Sequence, residues 1–148
     1  MCILSFNMDG QDFLRIAKKL LKYNTEANWR TSIGRSYYAI FNYLKQECQA
    51  LHLRISEGPA GHGELKNYLH NCAIDEGIDI GSKIGDLYSQ RIIADYKLNE
   101  KVEAKTAILM FEKAQDITKR FPLIDKTSFK TGVENYINIL ENSRSRTT

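Results

Sequence analysis

Residues 87–96 place two charged side chains in a helical pattern whose other inward positions are apolar. Arg91 and Asp95 are four residues apart, so they lie on one face of a helix and can form an ion pair. A buried guanidinium needs a carboxylate or several carbonyls, and Asp95 is the nearest carboxylate along the chain. The pair fits a functional site, and it fits equally well an ion network that fixes the register of packed helices.

Residues 30–41 form a second segment that combines basic, aromatic and small side chains. Three small residues in the middle of this predicted helix would let another helix approach closely: Gly34, Ser36 and Ala39. In proteins that bind RNA, arginine meets phosphate and aromatic rings stack on bases. If this chain binds RNA, the residues of the two segments that would form the surface are Arg30, Arg35, Tyr38 and Arg91.

The chain lacks the motifs of the familiar enzyme classes. The loop from Gly58 to Gly63 does not end in the Gly-Lys-Ser/Thr of a phosphate-binding loop. The histidines, His52, His62 and His70, have neither H-E-x-x-H nor paired-cysteine spacing, and the G-x-S-x-G motif of hydrolases is absent. We therefore predict neither a metal site nor a cofactor.

The helices that must position these residues belong to one globular chain of moderate length. Its 148 residues are 43% hydrophobic and 26% charged, which is typical of a folded domain. The net charge of +3 is too small to indicate nucleic-acid binding by itself. Three cysteines without C-x-x-C spacing do not indicate disulfides, and Cys48 and Cys72, which lie among apolar residues, are expected to be buried reduced thiols. A reducing cytoplasm is the expected location. The apolar run from Met1 to Phe6 has no basic leader and is too short to span a membrane.

Helical periodicity extends through almost the whole sequence and predicts an all-α antiparallel bundle of four to five helices with an additional C-terminal helix. The first helix, capped by Asp9 or Asp12, is expected to bury one apolar face: Phe13, Ile16, Ala17, Leu20 and Leu21. A helix of about seven turns should follow, from near Thr25 to near Leu53. Residues 56–63 form the clearest loop, and a shorter helix should come after it.

The second half of the chain continues this pattern. A break is expected from Gly77 to Gly81, before the helix that carries Arg91. Asn99 and Glu100 should open the next helix, and Pro122 should end it. That helix is expected to bury an apolar stripe: Val102, Ile108, Phe111, Ala114, Ile117 and Phe121.

The chain is expected to divide into a helical bundle, residues 8–122, and a C-terminal part, residues 123–148. The C-terminal part should contain one amphipathic helix, from about Phe129 to Leu140. Its basic tail, residues 143–148, is expected to be disordered.

An ordered set of motifs resembles the HEPN domains, helical domains found in nucleotide-binding systems of higher eukaryotes and prokaryotes. Residues 34–41 resemble the family's R-x-Y-Y-A-x-F helix, and residues 61–65 resemble its entry into a third helix. Residues 91–96 resemble its R-x-x-A-D-Y segment, and residues 104–121 its closing helix. The resemblance implies a bundle that usually forms a homodimer. It also implies frequent partnership with a minimal nucleotidyltransferase in toxin–antitoxin or phage-defence operons.

The family's catalytic pattern is missing from this chain. Many toxin members are metal-independent ribonucleases whose Arg and His, separated by four to six residues, meet across a dimer cleft. Here Tyr96, Lys97 and Leu98 occupy the positions after Arg91 where that His would stand. In the His-bearing members a Tyr lies two residues after the His, and a second alignment, which matches that Tyr to Tyr96, puts Ala94 at the position of the His. Tyr96 matches a tyrosine that the partner transferase can adenylylate, so it is a candidate for modification.

Three functional hypotheses remain. The leading one is a HEPN-like component of a prokaryotic toxin–antitoxin or phage-defence system, a dimer that binds RNA or a nucleotide with a degenerate catalytic motif. The second is a metal-independent toxin ribonuclease with a non-standard site, into which a loop histidine reaches: Arg35, His62, Arg91, Asp95 and Tyr96. The third is a non-catalytic interaction module for a nucleotidyltransferase.

Overall fold

The computed structural model describes residues 8–147 and confirms the all-α class. This part of the chain forms six α-helices and no strand. The helices are α1 (Gly10–Leu20), α2 (Glu26–Ala50), α3 (Ala60–His70), α4 (Asp75–Tyr96), α5 (Ala104–Arg120) and α6 (Lys126–Ser145). A short 3-10 turn, Phe121–Leu123, joins α5 to α6.

The long helix α2 lies at the centre of the bundle, in contact with α1, α3, α4 and α5. Helix α1 runs antiparallel to it, because Gly10 faces the backbone of Ala39 while the Ser32 hydroxyl donates to the Ala17 carbonyl at 2.9 Å. Helix α4 is also antiparallel to α2, since Arg30 binds the end of α4 and Tyr37 lies near Tyr88. The antiparallel arrangement brings residues 30–41 and 87–96 side by side.

Local capping explains where several helices begin. The Asp9 carboxylate accepts a hydrogen bond from the Gln11 N–H at 3.0 Å and caps α1, which settles the choice between the two predicted acids. The Thr25 hydroxyl caps α2 in the same way, at the predicted position. Helix α5 ends at Arg120, and Pro122 follows in the 3-10 turn, as the sequence predicts.

The predicted break at Gly77–Gly81 is wrong, because α4 begins at Asp75 and contains both glycines. They serve close packing instead of a turn. A Cβ atom at Gly81 would lie 3.1 Å from the Leu69 Cβ, and one at Gly77 would collide with the Cys72 sulfur. The missing side chains therefore let α3 and the turn after it pack tightly against α4.

The predicted start of α5 at Asn99 is also wrong, because the helix begins at Ala104 and Asn99 lies in the preceding loop. Hydrogen bonds to side chains of α2 keep this loop in a non-helical conformation. The Glu100 carbonyl accepts a hydrogen bond from Arg30, and the Val102 N–H donates to the Glu26 carboxylate at 3.1 Å. The side chain of Val102 is buried, so the loop is anchored on both sides of Lys101.

Two predicted core positions are exposed. Ile16 is 45% exposed, because the inward face of α1 is centred on Gly10, Leu14 and Ala17. Ile108 is 43% exposed and lies just beside the buried face of α5. That face consists of Ala107, Met110, Phe111, Ala114 and Ile117. Each face combines small and large residues, and the small ones allow the backbones to approach closely at their positions.

Helix α6 packs against the bundle through its first turns. Phe129 and Val133 are fully buried in the same core as the rest of the chain, and the Phe129 ring centroid lies 5.5 Å from that of Phe121. The helix continues to Ser145, so the first residues of the expected disordered tail are helical. The division of the chain near residue 122 stays a prediction.

Two further findings concern the sequence as a whole. Cys48 and Cys72 are buried free thiols, as predicted, and burial raises the pKa of Cys48 to about 12. Among residues 8–147, no helix is both long and apolar enough to cross a bilayer. The run Met1–Phe6 and the last residue, Thr148, lie outside the described residues.

Candidate functional site

Arg91 and Arg30 are the two buried charged groups of the two sequence segments, each with 9% of its surface exposed. Arg91 lies at the centre of the site. Its Nη2 donates hydrogen bonds to the Tyr38 hydroxyl at 2.5 Å and to the Tyr96 hydroxyl at 3.4 Å. Its Nε lies 3.2 Å from Asp95 Oδ2, so the predicted i, i+4 ion pair forms. The pair lacks hydrogen-bond geometry, and the buried Nε–H has no hydrogen-bond partner within residues 8–147.

Tyr38 lies next to two guanidinium groups. The Cζ atom of Arg91 is 5.1 Å from the centre of its ring, and that of Arg35 is 5.7 Å away. Arg35 is half-buried and also lies 5.0 Å from the ring centre of Phe13 on α1. No carboxylate of residues 8–147 lies within 4 Å of the Arg35 guanidinium. Its contacts with charged or aromatic groups in this part of the chain are therefore cation–π contacts.

Tyr96 completes this group of side chains at the last residue of α4. Its ring is 67% exposed, and the Arg91 Cζ lies 5.3 Å from the ring centre. Asp95 packs against Gly34 of α2, where a Cβ atom would lie 3.4 Å from Asp95 Oδ1. We call Arg35, Tyr38, Arg91 and Tyr96 the arginine–tyrosine surface.

Arg30 is directed into the protein. Its guanidinium donates to four backbone carbonyls at the end of α4 and in the following loop: those of Ile93, Ala94, Lys97 and Glu100. Its Nε and Nη2 also donate to Glu26 Oε1, at 2.9 and 2.8 Å. The Val102 N–H and Arg30 together hold the pKa of Glu26 below its ordinary value. Arg30 thus caps α4 and is not part of the arginine–tyrosine surface.

His62 lies in the first turn of α3, so the expectation that it reaches in from a loop is corrected. Its Nδ1 shares a hydrogen bond with the Tyr37 hydroxyl, and its ring centre is 4.2 Å from that of Phe41. Burial lowers the pKa of His62 below its ordinary value of 6.5, and the charges of Arg91 and Lys45 lower it further. The imidazole is therefore neutral at pH 7.

A cleft of about 250 Å³ opens beside His62, between α2, α3 and α4. We call it the aromatic cleft, and its lining residues are Tyr37, Pro59, His62, Gly63, Lys66, Ile84 and Tyr88. Tyr37 connects it to the arginine–tyrosine surface, because the Arg91 Cζ lies 5.9 Å from the centre of the Tyr37 ring. Burial raises the pKa of Tyr37 far above its ordinary value, so its hydroxyl stays protonated.

The structure brings most of the predicted site residues together. Arg35, Tyr38, Arg91, Asp95 and Tyr96 meet where α2 crosses the end of α4, and His62 lies next to Tyr37.

Sequence reasoning missed three cleft residues: Tyr37, Lys66 and Tyr88. A signal was present for each of them. Tyr88 precedes Arg91 by three residues on one helix face, and Lys66 follows His62 by four. Tyr37 directly precedes Tyr38, but it also belongs to an apolar stripe, which favours a role in the core and draws no attention to its hydroxyl.

Comparison with protein-family models, with curated proteins and with solved structures finds no match in any of the three. The resemblance to HEPN domains therefore stays a prediction. Within residues 8–147, no group of three or more His, Cys, Asp or Glu side chains is arranged to hold a metal ion.

Proposed function

We propose that the arginine–tyrosine surface binds single-stranded RNA. The observation that carries the proposal is Tyr38 lying within 6 Å of two guanidinium groups, one of which has no carboxylate partner in the described residues. Single-stranded RNA offers phosphates for the arginines and unstacked bases for the exposed tyrosine rings. Aromatic stacking tolerates any base, so we expect little sequence preference from this surface alone.

The charge distribution supports this choice over binding of a neutral partner. No carboxylate of residues 8–147 forms an ion pair with Arg35, and the groups beside its guanidinium are the rings of Phe13 and Tyr38. Arg91 is more buried, and its Nε lies 3.2 Å from the Asp95 carboxylate, so that ion pair offsets part of its charge. A phosphate would therefore find its least compensated cation at Arg35.

The test is fluorescence anisotropy of a labelled oligouridylate at low and at high salt. Wild-type protein should bind at micromolar concentration, and the affinity should fall with salt because bound arginines displace counterions from the phosphates. Arg35→Gln should weaken binding, whereas Arg144→Gln, an exposed arginine on α6, serves as the matched control and should not. Absence of salt-sensitive binding overturns the proposal.

A second candidate function is metal-independent cleavage of RNA, and one observation favours it. The Tyr37 ring lies 5.9 Å from the Arg91 Cζ and its hydroxyl is bonded to His62, so a neutral histidine stands near the buried arginine although the Arg–His sequence motif is absent. In that mechanism His62 takes the proton of the ribose 2′-hydroxyl. The 2′-oxygen forms a bond to phosphorus, the bond from phosphorus to the 5′-oxygen breaks, and the leaving 5′-oxygen takes a proton from water, with Arg91 stabilising the phosphoryl charge.

The two functions separate in one assay. Incubation of RNA with the protein in EDTA, followed by gel analysis, should give cyclic-phosphate products that disappear in His62→Ala and in Arg91→Gln. Binding without cleavage in the wild-type protein overturns the ribonuclease reading and leaves the binding proposal in place.

The biological setting rests on the HEPN resemblance. We propose a homodimeric component of a toxin–antitoxin or defence system, with a nucleotidyltransferase as its partner and Tyr96 as the residue that the partner modifies. The 67% exposed ring of Tyr96 leaves its hydroxyl accessible to such an enzyme. Expression in a bacterial host with and without the neighbouring gene, scored by growth and by the mass of the purified protein, tests this setting. Growth and mass that are the same with and without the neighbour contradict it.

A further inference from the structure

We infer that the aromatic cleft holds one nucleotide of the bound RNA, with the base against the Tyr88 ring and the phosphate at Lys66. The inference rests on the proposed function, which provides the RNA, and it adds a second subsite with its own ligand chemistry.

The walls of the cleft suit a planar ring. Tyr88 is 39% exposed, and its ring centre lies 5.6 Å from that of Tyr37 and 5.8 Å from that of His62. These distances are too short to admit a base between the rings, so a base would stack on the outer side of Tyr88. Ile84 and Pro59 add apolar surface on the walls.

The cation at the rim is Lys66. Gly85 of α4 has no side chain, and a Cβ atom there would lie 3.6 Å from the Lys66 Cδ, so the lysine stem runs over α4 at that point. In residues 8–147 no carboxylate lies within 4 Å of the Lys66 ammonium. An anion at the mouth of the cleft would therefore meet an unpaired charge.

The volume of the cleft limits the ligand to a single nucleotide. The volume of about 250 Å³ lies just below the roughly 300–1,000 Å³ of pockets that hold drug-sized ligands. The Tyr37 hydroxyl shares its hydrogen bond with His62, so the polar group that His62 adds to the walls is its second ring nitrogen. Stacking on Tyr88 together with one cation describes a nucleotide more closely than a lipid or a peptide.

The experiment titrates the full protein with UMP, AMP and ribose 5-phosphate, and follows amide shifts of Gly63 and Gly85 by NMR. Both nucleotides should shift these amides and saturate, whereas ribose 5-phosphate should bind at least about fivefold more weakly because it has no base to stack. Tyr88→Ala should weaken nucleotide binding by about fivefold or more, and Tyr88→Phe, which keeps the ring, should bind as the wild type does. Tyr23→Ala, at a more exposed tyrosine outside the cleft, is the control.

The outcomes separate the cleft from the arginine–tyrosine surface. Nucleotide shifts together with RNA binding that weakens in both Lys66→Ala and Tyr88→Ala support the inference. RNA binding that both variants retain, with no nucleotide shifts, overturns the inference while the proposed function stands. Nucleotide shifts without any RNA binding support the cleft as a nucleotide site and overturn the proposed function. Equal shifts with ribose 5-phosphate contradict the stacking role of Tyr88.

Discussion

Arg91 of α4 donates a hydrogen bond of 2.5 Å to the hydroxyl of Tyr38 on α2, across a separation of 53 residues in sequence. The bond joins the two segments whose residue types suit phosphate and base binding. It also orients the guanidinium so that Nε stays buried without a hydrogen-bond partner among residues 8–147. The candidate site therefore depends on the packing of α2 against α4.

Tyr38→Phe tests the separate roles of this hydroxyl and its ring. Loss of a hydrogen bond from a charged donor should lower the free energy of unfolding by about 1–2 kcal/mol, measured by urea denaturation. RNA affinity should stay within about twofold, because the ring still stacks. Tyr38→Ala removes the ring and should weaken RNA binding by about fivefold or more. Equal RNA affinity of Tyr38→Ala and wild type would show that the ring does not contact RNA.

Arg30→Ala tests the cap at the end of α4. The variant leaves the carbonyls of Ala94 and Glu100 without their donor, so the free energy of unfolding should fall by about 2–3 kcal/mol. That loss corresponds to a melting temperature lower by roughly 4–12 °C. Arg15→Ala removes an exposed ion pair on α1 and should change stability by less than about 0.5 kcal/mol. Equal melting temperatures of the two variants would argue against the capping role.

His62 gives the protein a pH dependence in a defined window. Its pKa is lowered in the folded state, so between its folded value and the ordinary value of 6.5 the unfolded chain binds more protons. Stability should therefore fall as the pH drops below about 6.5, and the fall should end below the folded pKa. Urea denaturation at pH 7.5 and pH 5.5 measures it. In His62→Gln, stability should fall less between pH 7.5 and pH 5.5 than in the wild type. An equal fall in the variant would contradict the assignment of this pH dependence to His62.

Gly132→Ala tests how α6 is attached. A Cβ atom at Gly132 would collide with the Cys72 carbonyl, so an added methyl group should push α6 outward and lower the free energy of unfolding by about 1–3 kcal/mol. A Cβ atom at Gly63 meets nothing within 4 Å, so Gly63→Ala should raise stability by about 0.5 kcal/mol. Calorimetry compares the two variants. Separate melting of α6 in the Gly132 variant would also support the predicted division near residue 122.

The sequence predicts much of the fold, because periodicity and caps are local properties. Thr25 marks the start of α2, and Pro122 follows directly after the end of α5. The failures come from tertiary contacts that no local pattern encodes. The local pattern predicts a turn at Gly77, but the glycine is there because Cys72 approaches closely. It predicts a cap at Asn99, but Arg30 and Glu26 hold the neighbouring residues in a loop.

The candidate site is predictable to the same extent. The Arg91–Asp95 pair follows from spacing alone, since both lie on one helix face. The inward direction of Arg30 does not follow, because four carbonyls of a distant segment determine it. The neighbourhood of Tyr37, His62 and Tyr88 requires three helices to pack, and their sequence separations gave no indication of it.

The salt dependence of RNA binding tests the central claim most directly. Each arginine that neutralises a phosphate of single-stranded RNA adds about 0.7 to the magnitude of the slope when the logarithm of the association constant is plotted against the logarithm of the salt concentration. Circular dichroism first verifies that the double variant Arg35→Gln, Arg91→Gln is folded. Its slope should then be smaller in magnitude than the wild-type slope by about 1.4. A wild-type slope in the double variant would contradict the proposal that the arginine–tyrosine surface binds RNA.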